Sequence, residues 1–335
     1  MDTDASILKD KFGRNHNYLR ISLTERCNLR CTYCMPADGV QLSPKRNLMT
    51  ADEIYEIAKI FVANGVNKIR LTGGEPLVRK DFKEILKKLS TLNINLSITT
   101  NGVLVDRYIE TFKTNGLKHI NISLDTLNAD KFKFITRRNQ FKKAFDSIKL
   151  LVDNHFKVKI NAVLIKGFND SEIIDLIELT KNLSIAIRFI EFMPFNGNKW
   201  DRSKLVTQKE ILETVGDYYG SNQFLKLENE ENFTSKNYKV LNYKGEFGII
   251  SSVSNPFCDS CNRIRLTANG KLKNCLFSNN ETDILSVLRS NLQIEPAIKE
   301  AINIKHAVRA GMDSFKKLNN PKFHSQNRSM LTIGG

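Results

Sequence analysis

The chain has 335 residues, 41% hydrophobic and 26% charged, with a formal net charge of +15 at pH 7. This composition excludes disorder and fibrous structure as the main state. The lack of any run of about 18 apolar residues excludes a membrane-spanning helix. The polar first ten residues lack the apolar stretch of a secretory signal, so a cytoplasmic protein without a membrane partner is expected. The excess of Lys and Arg suits a polyanionic partner or a lysine-rich solvated surface, and charge alone does not choose between them.

In chain order, apolar runs at residues 19–23, 68–72, 96–99, 119–124, 157–164 and 186–192 read as strands, with helical patterns between them. The clearest helix starts at Thr50, where Thr50 and Glu53 make a capping box. Ile54, Ile57, Ala58 and Phe61 then follow helical spacing, and Asn64-Gly65 gives a left-handed stop, repeated at Asn115-Gly116. Alternating strands and helices predict a parallel sheet with right-handed crossovers. Polar motifs fall after successive strands, at Gly73-Gly74-Glu75-Pro76, Thr100-Asn101-Gly102 and Ser123-Leu124-Asp125. A barrel gathers all its strand ends at one mouth, so a partial (βα)6 TIM-type barrel is expected over 1–195. After residue 195 the pattern changes to a helix over 209–215, β-like stretches at 238–243 and 246–252, helices at 284–288 and 297–308, and an irregular tail over 319–335. This predicts a smaller C-terminal α+β appendage over 196–335.

The six cysteines form two groups. Cys27, Cys31 and Cys34 follow the first strand in a C-x3-C-x2-C spacing, and Cys258, Cys261 and Cys275 lie in the appendage. In a reducing compartment such clusters read as metal sites rather than disulfides. Neither has an evident fourth ligand nearby, which a closed zinc site requires. His306 and His324 could close a zinc site at long range in the second group. Three thiolates can instead hold a [4Fe–4S] cluster with one iron open to a ligand.

The run Cys27-Asn28-Leu29-Arg30-Cys31-Thr32-Tyr33-Cys34 resembles the signature of the radical S-adenosylmethionine (SAM) superfamily, and Gly73-Gly74-Glu75-Pro76 resembles its GGEP motif. The resemblance implies a first [4Fe–4S] cluster on Cys27, Cys31 and Cys34, whose open iron binds SAM. It also implies a 5′-deoxyadenosyl radical and SAM contacts from Tyr33, Gly74, Glu75, Ser123 and Met193.

Beside the second group, Arg263 and Arg265 fall on one face of an extended segment, and guanidiniums favour phosphate. Arg20 and Arg70 stand in strands facing a barrel interior, where a phosphate-rich substrate would offset the burial of their charge. With these arginines, both cysteine triplets, the segment from Arg188 to Met193 and the terminal Gly334-Gly335, the chain resembles the GTP 3′,8-cyclase family of molybdenum cofactor biosynthesis. The resemblance implies abstraction of H3′ from GTP and closure of C3′ onto C8, giving (8S)-3′,8-cyclo-7,8-dihydroguanosine 5′-triphosphate. It implies GTP contacts from Arg20, Arg70, Thr99, Lys159, Arg263 and Arg265, with a second [4Fe–4S] cluster on Cys258, Cys261 and Cys275. It assigns Arg188, Gly334 and Gly335 to catalysis, the glycines as a tail reaching the active site. It further implies a flavodoxin- or ferredoxin-type reductant, a cyclic pyranopterin monophosphate synthase downstream, a homodimer, and no nucleic-acid partner. A radical SAM enzyme acting on RNA or a peptide is the alternative within this chemistry, and a zinc-binding interaction module the alternative outside it.

Overall fold

A computed structural model describes residues 6–36, 39–228, 232 and 234–334. The first half alternates β1 (Tyr18–Ser22), α1 (Ala51–Ala63), β2 (Lys68–Thr72), α2 (Phe82–Ser90), β3 (Asn95–Thr100), α3 (Ile109–Thr114), β4 (His119–Ser123), α4 (Ala129–Thr136), α5 (Phe141–Asp153), β5 (Lys157–Leu164), α6 (Ile173–Asn182) and β6 (Ala186–Glu191). Then follow α7 (Gln208–Tyr219), β7 (Phe224–Lys226), β8 (Lys236–Val240), β9 (Glu246–Ile250), β10 (Arg263–Leu266), β11 (Lys271–Lys273), β12 (Thr282–Asp283), α8 (Ile284–Arg289), α9 (Glu295–Asn303), α10 (Phe315–Leu318) and α11 (Met330–Ile333). The Thr50–Glu53 capping box opens α1 as expected, and Thr207 with Glu210 repeats it at α7.

The strands join in one sheet of order β12-β11-β10-β1-β2-β3-β4-β5-β6-β9-β8-β7. From β10 through β9 every pairing is parallel. Period-two alternation assigns the two faces. Leu19, Ile21, Ile69, Leu71, Ile98, Ile120, Ile122, Ile160, Ile187 and Phe189 are buried in the main apolar core. The opposite face carries Tyr18, Arg20 and Ser22 on β1, Lys68, Arg70 and Thr72 on β2, Thr99 on β3, Lys159 on β5 and Arg188 on β6. In a flat sheet β10 and β6, six spacings apart, would lie roughly 29 Å from each other. The charge on Arg263 of β10 nevertheless helps to hold Arg188 of β6 below its ordinary pKa. The sheet therefore curls into a partial barrel with a polar interior.

The segments after residue 195 differ from the expected appendage in where their strands go. β10 pairs with β1 and β9 with β6, so the later strands cover both edges of the six-strand sheet. Bare edges of a parallel sheet are open to pairing with other chains, and these strands occupy them. The extended segment read around Arg263 and Arg265 is β10, while β7, β11 and β12 are too short to read as strands from the sequence. The tail differs too: 319–334 is not irregular throughout, because Met330–Ile333 forms α11. Gly335 lies outside the described residues.

Candidate active site

The loop after β1 is held by backbone pairing on two sides. Gly74 N and Glu75 N donate to Thr24 O and Arg26 O, both at 2.8 Å, while Arg30 N and Thr32 N donate to Thr136 O and Ile135 O at the end of α4, both at 2.9 Å. A Cβ on Gly74 would lie 2.4 Å from Arg26 O, so this approach requires glycine. Cys27, Cys31 and Cys34 consequently face one cavity, with Tyr33, Gly73, Gly74, Thr99, Ser123 and Leu331 among its walls. Burial first, then the Glu75 charge, pushes the Cys27 thiol up to about 11. Burial and neighbouring acidic groups push Cys31 and Cys34 up as well. Thiols so placed ionise only with a metal's positive charge beside them. Three soft sulfur donors on one cavity fit an iron–sulfur cluster with an open iron.

Glu75 is fully buried and does not line that cavity. Its carboxylate accepts from Leu77 N at 3.0 Å, Thr100 Oγ1 at 2.7 Å and Asn101 N at 2.7 Å. Through these bonds Glu75 ties the turn after β2 to the turn after β3. Asn101 in turn donates from Nδ2 to Asn28 Oδ1 at 2.7 Å and to Cys27 Sγ at 3.8 Å. Tyr33 donates to Asp125 Oδ2 at 2.7 Å, and Val163 N donates to Asp125 Oδ1 at 2.9 Å. Burial raises Asp125 to about 6 despite these two donors. Met193 packs on the smaller apolar group of Leu205, Val253, Phe277, Met312 and Leu318, on which Cys275 also rests.

The basic residues form rows across the barrel. Arg265, Arg20, Arg70 and Ser97 stand side by side in register on β10, β1, β2 and β3. One step toward the strands' amino ends, Arg263, Tyr18 and Lys68 form a second row. Thr99 and Lys159 flank Asn121 on the far wall. Arg70 donates from Nε to Tyr18 Oη at 2.5 Å and from Nη1 to Ile98 O at 3.1 Å. Burial first, then neighbouring cations, holds Arg20 and Arg188 down to about 10 and Lys159 to about 8. Arg188 Nε is buried with no hydrogen-bond partner among the described residues. Cations this crowded are suited to an incoming anion, which would relieve both the repulsion and the unmet donor.

The second thiol group stands at the other end of the barrel. β1 and β10 run parallel, and Cys27 follows the carboxyl end of β1 while Cys261 precedes the amino end of β10. A five-residue strand spans roughly 16 Å, and the arginine rows lie along that span. Burial raises Cys258 and Cys275, and each feels the charge of Cys261. Cys261 goes the other way, to about 7: burial would raise it, but Lys305 and Arg263 outweigh burial. The three thiols again make a soft donor set that fits a cluster. Among the described residues no three His, Cys, Asp or Glu side chains gather at a single-ion position.

The tail enters from the carboxyl end. Gly334 is buried with φ +89°, and its carbonyl accepts from Arg265 Nη1 at 2.9 Å. A Cβ there would meet Thr72 Oγ1 at 2.6 Å and Ser22 Cβ at 2.8 Å. Leu331 lines the first cavity.

Residues 21–180 match the Radical SAM superfamily and residues 185–310 match Molybdenum Cofactor Synthesis C. A "GTP 3',8-cyclase" of Listeria welshimeri is 40% identical over 98% of this chain and 99% of its own length. The chain belongs to the GTP 3′,8-cyclase family. "GTP 3',8-cyclase, mitochondrial" of Arabidopsis thaliana is 46% identical over 99% of this chain and 84% of its own. "Molybdenum cofactor biosynthesis protein 1" of Dictyostelium discoideum is 46% identical over all of this chain and 53% of its own. The chain thus spans about half the length of several curated relatives. Among solved structures, Streptococcus suis SuiB bound to its precursor peptide superposes with a TM-score of 0.59 at 17% identity, covering 91% of this chain and 69% of that one, which shows a shared fold. Proteins of this family use a [4Fe–4S] cluster with SAM and carry an additional cluster.

Sequence reasoning missed several residues that stand beside the thiols or the arginine rows. Asn101 and Asp125 stood in the polar motifs after β3 and β4, and that position was the signal. Tyr18 and Ser22 share the inward face of β1 with Arg20, so alternation around one arginine would have found them. Lys305, remote in sequence from every motif, gave no signal.

Proposed function

We propose that the chain is itself a GTP 3′,8-cyclase, joining C3′ of GTP to C8 of its guanine in the first step of molybdenum cofactor synthesis. The observation that carries this reading is the in-register row of Arg265, Arg20 and Arg70, between one thiol triplet at each end of the barrel. A substrate bound there must be polyanionic and must reach toward both ends, as a nucleoside triphosphate does. The two clusters and SAM supply, when bound, the radical that removes a hydrogen atom and a second open iron for the guanine edge. Cys27, Cys31 and Cys34 would hold the first cluster, and Cys258, Cys261 and Cys275 the second.

The chain's own residues bind and orient. Arg20, Arg263 and Arg265 present guanidiniums to the triphosphate with Arg70 beside Arg20, while Thr99 and Lys159 line the opposite arc. Binding energy from the phosphates then fixes the ribose at the reacting position. Gly74 lets the backbone approach the methionine end of SAM, beside Tyr33 and Ser123. Arg188 offers its unpartnered Nε to charge near the ribose. α11 and Gly334 plug the carboxyl-end mouth and exclude water. Residues 1–195 would serve as the SAM half and 196–335 as the half carrying the second cluster and tail. A flavodoxin- or ferredoxin-type reductant, a cyclic pyranopterin monophosphate synthase acting next, a homodimer and a cytoplasmic location complete the proposal.

Anaerobic turnover tests it. Reconstituted protein, SAM, a strong reductant and GTP should give 5′-deoxyadenosine together with a cyclised nucleotide. Equal 5′-deoxyadenosine from ATP, or from no nucleotide, would overturn the substrate assignment.

A further inference from the structure

Lys305 is 3% exposed, and no step described above uses it. Its Nζ lies 3.6 Å from Cys261 Sγ, 3.1 Å from Arg263 O and 2.8 Å from His16 Nε2. His16 is fully buried, and its Nδ1 lies 2.9 Å from Leu8 O. With Nδ1 protonated toward that carbonyl, Nε2 is left as an acceptor for Lys305. Arg14, on the same N-terminal segment, donates to Cys258 O at 2.8 Å, Ala307 O at 2.8 Å and His306 O at 2.9 Å, and is itself held by Asp10 Oδ2 at 2.6 Å. Residues 8–16 thus brace both the Cys258–Cys261 loop and the Lys305–Ala307 segment. The ammonium meets a carbonyl, an imidazole nitrogen and a sulfur, three acceptors for its three N–H donors. Asp10 Oδ2 stands 3.7 Å from His16 Nε2, so the other charged groups facing the site are Asp10, Arg14 and Arg263.

We propose that Lys305, held by His16, is a positioning residue for the second cluster: it donates a charge-assisted N–H···S bond to the Cys261 ligand and raises the cluster's reduction potential. This rests on the assignment of that cluster to Cys258, Cys261 and Cys275. Hydrogen bonds to ligand sulfurs and nearby positive charge stabilise the reduced, more negative state of an iron–sulfur centre.

The test uses full-length reconstituted protein and a redox titration followed by electron paramagnetic resonance of the second cluster. Lys305→Met, which keeps length and removes the charge, should lower the potential by at least tenfold in the reduction equilibrium, about 59 mV for one electron. Lys305→Arg should recover most of the shift. An unchanged potential in Lys305→Met overturns the proposal. If that variant does not fold, wild-type protein labelled with [15Nζ]lysine decides: a 15N coupling in the pulsed spectrum of the reduced second cluster supports the bond, and its absence refutes it. Iron content tests the underlying assignment separately, because a Cys258→Ala, Cys261→Ala, Cys275→Ala triple variant should lose about half the iron. Undiminished iron there would dismiss the cluster assignment itself rather than the role of Lys305.

Discussion

Gly334→Ala is the sharpest single-atom perturbation the structure offers. Residue 334 has φ +89°, and an added Cβ would lie 2.6 Å from Thr72 Oγ1 and 2.8 Å from Ser22 Cβ, on two strands that cannot easily retreat. The backbone conformation alone costs an L-residue roughly 1–3 kcal/mol. Displacing the residue also breaks the bond from Arg265 Nη1, a charge-assisted interaction contributing roughly 1.5–3 kcal/mol. Together about 2.5–6 kcal/mol acts against the docked tail, or roughly two to four powers of ten in its population. The atoms that the added Cβ meets belong to Thr72 and Ser22 rather than to a cysteine, so iron content should be unchanged. Cyclised product per turnover should fall at least a hundredfold, while residues 330–334 gain amide exchange. Activity within threefold of wild type, with the tail still protected, would refute the idea that this glycine seats the tail.

Gly74→Ala should weaken SAM binding more than tenfold at retained secondary structure, measured by calorimetry, because its Cβ would collide with Arg26 O and Leu331 Cδ1. Cys275→Ala should leave SAM binding intact and abolish cyclisation; retained product would show the second cluster to be dispensable. His119 is held down to about 4 from 6.5, first by burial and then by Lys157, Lys68, Lys159 and Arg70. A depressed folded pKa means the stability is present above 6.5 and is lost as pH falls toward 4. For this half-buried ring the loss should be about 1–2 kcal/mol after solvent screening. His119→Gln should flatten that part of the urea-midpoint profile, and an unchanged slope would contradict the assignment.

The six inner strands, the capping box at Thr50 and the cysteine triplets were all legible because each is a short-range signal: alternation, a cap, a spacing. Arg20, Arg70, Arg263 and Arg265 stood out in the sequence because charge on an inward strand face is costly without a purpose. The register that sets Arg265, Arg20 and Arg70 in one row was not legible, since pairing of β10 with β1 joins segments far apart in the chain. For the same reason the bonds of Glu75 to Thr100 and Asn101, on the next strand's turn, were not legible. Lys305 and His16 show the limit most clearly, as neither has a neighbour in sequence that hints at Cys261.

The strand order also bears on how the chain reaches this state. β1 pairs on one side with β2, which soon follows it, and on the other with β10, which is made only after all six inner strands. During synthesis the apolar edge of β1 must wait unpaired, as must β6 until β9 arrives. Such long-range pairings slow folding and leave edges that recruit other chains. Expression of residues 1–195 alone should therefore give aggregates, and coexpression with 196–335 should rescue solubility.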